Sequence, residues 1–249
     1  MMTDYLLLGA IGFLAQIVDG ALGMAFGIVS NAALLTMGFP PAQASAIVHT
    51  AEVFTTAGSA ASHIYHRNVD WRLVLRVGIA GVVGAVLGAW VLSNVDTRWG
   101  RPFIATYLLI MGVVILMRAK RHVPPRDTPF RWAPPVGLVG GFLDASGGGG
   151  WGPIVTSTLV GAGHVPRYVV GSVNLTEFFV TVATSATFIV TLGLGDLAPV
   201  IPLVLGGLVS APFAGYLVKI VSHRMLMVMV GSLILLLSTR TLLKMAGLT

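Results

Sequence analysis

Four carboxylic acids sit inside apolar runs of this 249-residue chain: Asp19, Glu52, Asp144 and Glu177. A carboxylate in the middle of a membrane-spanning helix costs about 2.5–3.5 kcal/mol on insertion scales, so such residues are functional candidates by default. They could carry protons, hold a coupled cation or gate a passage. The other five acids, Asp4, Asp70, Asp96, Asp127 and Asp196, fall at segment ends or in a loop. Asp19 and Asp144 each precede a glycine-rich stretch, DGALGMAFG and DASGGGGWGP. There a carboxylate can equally cap the helix that follows, and the two readings stay open. Glu52 and Glu177 lie mid-helix, where capping does not apply. His49 stands three residues before Glu52, on the same helical face, which suits a proton relay better than a metal site, because no other histidine lies at ligand spacing there. No cofactor or metal is expected.

The glycine-rich stretches supply the second chemistry. Gly147 to Gly150 in a row should break a helix, at about 1 kcal/mol per glycine, and Pro153 suits the first turn of a new one. A half-helix N-terminus presents free N–H groups and a positive dipole end to an anion. Glycine lets a small oxyanion approach the backbone, which makes Gly23, Gly27, Gly148, Gly149, Gly150 and Gly152 candidate substrate contacts. Asn31, Thr156, Ser157 and Asn174 are candidate side-chain donors. Close helix packing is the plainer role for small residues in membranes, and four consecutive glycines exceed it. No Gly-Lys-Ser/Thr follows, so the run is not a nucleotide-phosphate loop.

The elements that position these residues follow from composition. Only 10 % of residues are charged and 55 % are hydrophobic, with a mean hydropathy of +0.89. Soluble domains carry about 25 % charged residues. A soluble enzyme, a nucleic-acid binder and a disordered chain are all excluded, and the net charge of +6 reads as headgroup contact in a lipid bilayer. The absence of cysteine excludes disulfides and thiol chemistry. Apolar runs at about 5–36, 42–66, 73–93, 102–118, 135–162, 168–192, 197–218 and 225–245 predict an all-α polytopic membrane protein. The start, MMTDYLLLGAIGF, has no basic residue before its apolar run and does not read as a secretory signal.

A shift of 125 residues superimposes the two halves: Gly12 on Gly137, Asp19 on Asp144, Gly23 on Gly148, Glu52 on Glu177 and Gly81 on Gly206. Two homologous four-segment halves are expected, 1–118 and 135–249, each with a Gly-broken first segment, joined by a basic linker at 119–134. Duplicated halves are a common build for secondary transporters. If each broken segment spans, basic residues divide 10 to 5 between the two sides; if each folds back as a hairpin, they divide 11 to 4. Both arrangements place the linker in the cytoplasm, and the charge count does not choose between them. His63 and His66 sit near a segment end. Arg72, Arg76, Arg167 and Arg224 lie where side chains snorkel to headgroups, with Arg76 also placed to attract an anion.

GLVGGFLDASGGGGWGP (137–153) and VPRYVVGSVNLTEFF (165–179), with their counterparts GFLAQIVDGALGMAFG (12–27) and PPAQASAIVHTAEVF (40–54), resemble the TauE/SafE family. This is the sulfite and organosulfonate exporter family, also called the 4-toluene sulfonate uptake permeases, and the resemblance covers essentially the whole chain. It implies a multi-pass permease of the bacterial plasma membrane for small sulfur-containing anions, coupled to an ion gradient, H⁺ or Na⁺. GALGMAFG has fewer glycines than GGGGWG, which implies that the second break provides more of an anion cradle. Because a charged carboxylate repels an anion and burial favours the neutral carboxyl, Glu52 and Glu177 are better suited to proton coupling than to direct contact. Export driven by membrane potential alone, a cation transporter liganded by the four acids, transport of another carboxylate-type or inorganic anion, and an intramembrane protease are the alternatives. No nucleic-acid partner is expected; a homodimer is compatible with the sequence, which does not set the oligomeric state.

Overall fold

The computed structural model describes residues 2–119, 131–162, 164–193, 197–220 and 223–247. Ten helices follow one another: α1 (Met2–Leu22), α2 (Phe26–Met37), α3 (Pro41–Tyr65), α4 (Trp71–Asn94), α5 (Thr97–Arg118), α6 (Ala133–Gly147), α7 (Ser157–Gly161), α8 (Pro166–Leu192), α9 (Val200–Ile220) and α10 (His223–Met245). A π-helical turn, Gly152–Thr156, runs directly into α7. All regular structure among the described residues is helical, as the apolar runs of spanning length predict. The basic linker expected at 119–134 falls mostly at 120–130, outside the described residues, as does Asp196.

Trp71–Asn94, Thr97–Arg118, Arg167–Leu192 and Met227–Met245 are each long and apolar enough to cross a membrane. They turn large apolar side chains outward, among them Leu75, Ile79, Trp90, Ile110, Val190 and Leu236, as a bundle solvated by lipid does. The helix ends follow local chemistry. Asp70 Oδ1 accepts from Arg72 N at 2.9 Å and Leu73 N at 3.3 Å, capping α4, and Asp96 Oδ1 accepts from Arg98 N at 2.8 Å at the start of α5. Arg98 holds the exposed Asp96 carboxyl below its usual range through side-chain and backbone hydrogen bonds. Between α1 and α2 the chain turns at Gly23, φ +64°, and after α6 it passes three glycines with positive φ, at +71°, +127° and +151°.

Helix directions settle how the broken segments run. Arg167, at the start of α8, donates through Nη2 to His66 O at 3.1 Å and through Nε to Asn68 Oδ1, just past the end of α3. Further along, Ser59 Oγ donates to Asn174 Oδ1 at 2.8 Å, and the His49 and Phe188 rings lie 6.4 Å apart. Residue numbers rise in α3 as they fall in α8, so the two helices are antiparallel. By the same logic α4 and α8 are parallel: Asp70 N donates to Ser172 Oγ at 2.8 Å, and Ser93 Oγ lies 2.8 Å from Thr191 Oγ1. Helices α4 and α6 are parallel too, with Gly84 against Leu138 and Gly88 against Phe142. Since α6 and α8 point the same way, the half-helix between them doubles back. Val155 accordingly packs on Gly140, although a straight helix would separate them by about 22 Å. In the first half, Gln16 of α1 and Phe26 of α2 converge on Gly207. The described backbone thus doubles back between α1 and α2 and again after α6.

Candidate functional site

The two breaks are built alike. Asp19 Oδ1 accepts from Ala25 N at 2.7 Å and from Phe26 N at 3.3 Å. Asp144 Oδ1 accepts from Trp151 N at 2.8 Å, while its carbonyl accepts from Gly149 N at 2.8 Å. Each aspartate therefore ties down the start of the half-helix beyond its break, satisfying N–H groups that have no helical partner. The capping role that the sequence left open for both residues is present. Asp144 does more: its Oδ2 lies 3.1 Å from His49 Nε2, in a pair fully enclosed by protein. His49 Nδ1 lies 2.8 Å from Ser45 O. A backbone carbonyl only accepts, so this contact places a proton on Nδ1 and leaves Nε2 facing Asp144. Ser45 Oγ in turn donates to Ala145 O at 2.8 Å.

The breaks meet backbone to backbone. Gly149 lies on the peptide joining Gly27 and Ile28, and Gly152 lies on Gly23 O and Met24. A Cβ on Gly149 would stand 2.5 Å from Ile28 N, so only glycine allows this approach. Asn31 crosses to the opposite break, where its Nδ2 donates to Gly147 O at 3.0 Å beside Gly148. Asn174 lies against Gly23, with its own groups bonded to Ser59 and Val170.

Where the breaks meet, a cavity of about 10 Å³ is lined by Asp19, Glu52, Asp144 and Glu177 together with Gly27, Gly150 and Gly152. That is room for one water-sized body. Glu52 Oε1 lies against Gly27. Around the junction, Glu177 Oε2, Asn31 Oδ1, Thr156 Oγ1 and Tyr107 OH are buried with no hydrogen-bond partner among the described residues. A buried polar atom left unpaired costs about 1–3 kcal/mol, which makes this junction a candidate site for a polar guest. All four acids singled out by the 125-residue shift thus reach one cavity. Ser157 is half-buried and outside its lining. Among the described residues, no three of His, Asp and Glu converge as metal ligands.

Three contributors were not legible in advance. Tyr107, from α5, presses on Gly147 and Gly150; its signal was one tyrosine in an apolar run. Trp151 is fully buried and donates from Nε1 to Val173 O at 3.2 Å, tying the second break to α8. Ser45 stands one turn before His49, and that spacing was its only mark.

The family model described as "Sulfite exporter TauE/SafE" matches residues 8–241. The chain is 41 % identical over 253 residues to a Bacillus subtilis (strain 168) protein named "Probable membrane transporter protein YtnM", covering 97 % of this chain and 83 % of that protein. No solved structure matches.

Proposed function

This chain belongs to the TauE/SafE family, and we propose that it is a secondary transporter that exports small sulfur-containing anions, such as sulfite or organosulfonates, across the bacterial inner membrane. The observation that carries this reading is the contact between the two breaks, where Gly149 touches Gly27 and four carboxyl groups surround one cavity. The half-helices that start at Phe26 and Gly152 direct their positive ends to this point. The anion binds at this junction in a state that opens wider than the one-water cavity seen here, with the unpaired polar atoms of Asn31 and Thr156 nearby as its partners.

The protein is two inverted halves, 1–118 and 135–249. Helices α3 and α8, which start 125 residues apart at Pro41 and Pro166, run antiparallel, as repeats related by an axis in the membrane plane require. The side with 11 basic residues is the cytoplasm. Alternating access is a rocking of one half on the other about the point where the breaks touch.

Four carboxyl groups repel an anion unless neutralised. That requirement supports coupling to a cation, with Glu52 and Glu177 taking up a proton and Asp19, Asp144 and His49 holding the breaks in register. Sodium at the same carboxylates, coupled to another small carboxylate or inorganic anion, is the second reading that their clustering supports.

The test is thermal unfolding of the purified protein against a panel of sulfur oxyanions, sulfonates and carboxylates, with and without Na⁺, since a ligand of the folded state raises its stability. Stabilisation by sulfite or a sulfonate, followed by efflux of that anion from proteoliposomes, is expected. Stabilisation by carboxylates alone would overturn the substrate class.

A further inference from the structure

A second cavity, of about 210 Å³, opens between the end of α2, the start of α5 and the last turns of α10. Its lining includes Leu35, Thr36, Arg101, Arg240, Thr241 and Lys244, with three cations and no carboxylate. Arg101 turns inward: its Nη2 donates to Leu35 O at 3.1 Å and Phe39 O at 3.4 Å, and its buried Nε has no partner. Arg240 and Lys244 stand one helical turn apart, and neither side chain makes an ion pair or hydrogen bond among the described residues. The Thr36 and Thr241 hydroxyls donate to Ala32 O and Leu237 O in their own helices, so charge is what this cavity offers.

The distribution of charge makes the cluster unusual. The fold-back arrangement leaves four basic residues on this side, Arg98, Arg101, Arg240 and Lys244. Arg98 is neutralised by Asp96 at 2.8 Å. The other three share one cavity, although snorkelling alone would let each seek headgroups separately. Like charges gathered in this way repel one another, and an anion among them reverses the sign of the interaction. Helix α2 links this cavity to the central one: Thr36 lines this cavity and Ile28 the central one, about 12 Å apart along the axis.

We propose that this cavity is a second oxyanion site, separate from the central one, which takes a sulfonate- or phosphate-type group between the guanidinium groups of Arg101 and Arg240 and the Lys244 ammonium. Guanidinium binds such groups through two parallel hydrogen bonds and the ammonium adds a point charge. The same chemistry is presented by a free anion that has left the central cavity and by the phosphate of an anionic lipid. The inference rests on this cavity alone and does not depend on what the central site carries.

The test compares wild type with the double variant Arg240→Gln/Lys244→Gln and with the charge-preserving Arg240→Lys/Lys244→Arg. One arm is a thermal-shift titration with sodium sulfite in phosphatidylcholine nanodiscs. The other is the retention of phosphatidylglycerol after extraction from mixed vesicles, read by native mass spectrometry. In one arm or both, the neutral variant is expected to lose one binding component by at least about tenfold, the central cavity accounting for the sulfite response that remains, while the charge-preserving variant binds as wild type does. A loss confined to sulfite identifies a free anion; a loss confined to phosphatidylglycerol identifies lipid. Equal behaviour of wild type and neutral variant in both arms overturns the proposal.

Discussion

His49 and Asp144, 95 positions apart in the sequence, meet in one buried contact, Nε2 to Oδ2 at 3.1 Å. His49 belongs to α3, and Asp144 lies in the last turn of α6, where its other oxygen caps the second half-helix. The pair ties α3 to the turn that follows α6. Asp144 also lines the central cavity with Glu52.

Removing one partner leaves the other buried and unpaired. Asp144→Asn and His49→Ala are each expected to destabilise the protein by about 3–5 kcal/mol. The double variant should lose less than the sum, because neither single change can remove the interaction twice. Denaturant unfolding in detergent, read as a double-mutant cycle, checks this; strict additivity would count against the pair.

Glu177→Gln should fold normally, since its Oε2 forms no bond that the amide would break. Anion efflux from proteoliposomes should then lose its dependence on the pH gradient, and Glu52→Gln should have the same effect. If both variants keep the wild-type pH profile, the two glutamates have no part in coupling.

Gly149→Ala brings a methyl group to 2.5 Å from the Gly27–Ile28 peptide, at a φ of +127° that L-residues avoid. Overpacking and backbone strain together predict a loss of about 2–5 kcal/mol. Gly58, within α3, has open space around it, and Gly58→Ala should raise stability by about 0.5–1 kcal/mol. Equal melting temperatures for the two variants would contradict the close contact between the breaks.

Asp70 caps α4, and its own N–H binds Ser172 on α8. Asp70→Ala should cost about 1 kcal/mol without altering ligand-induced stabilisation, because the cap lies at the membrane surface. Thermal unfolding with and without sulfite separates the two effects.

Much of what lines the central cavity was legible in the sequence. Asp19, Glu52, Asp144 and Glu177 stood out because charge in an apolar helix is costly, and their pairing at a 125-residue shift linked them. Gly147 to Gly150 announced a break because glycine weakens helices locally. Tyr107 was not legible, because a single tyrosine among apolar residues has the same local signature whether it faces lipid or a break.

The sequence alone determined the bilayer as solvent, the helices as elements, the two breaks and the four interior acids, since each depends on composition or on spacing within one segment. Tertiary structure decided the direction of the helices. Spanning and folding back divide the basic residues 10 to 5 and 11 to 4, a difference too small to choose a topology. The contacts of Arg167 with His66 and of Ser59 with Asn174 show α3 and α8 opposed, a relation between residues about a hundred positions apart that no local pattern carries. The contact between His49 and Asp144 is long-range in the same way, and only the folded chain brings them together.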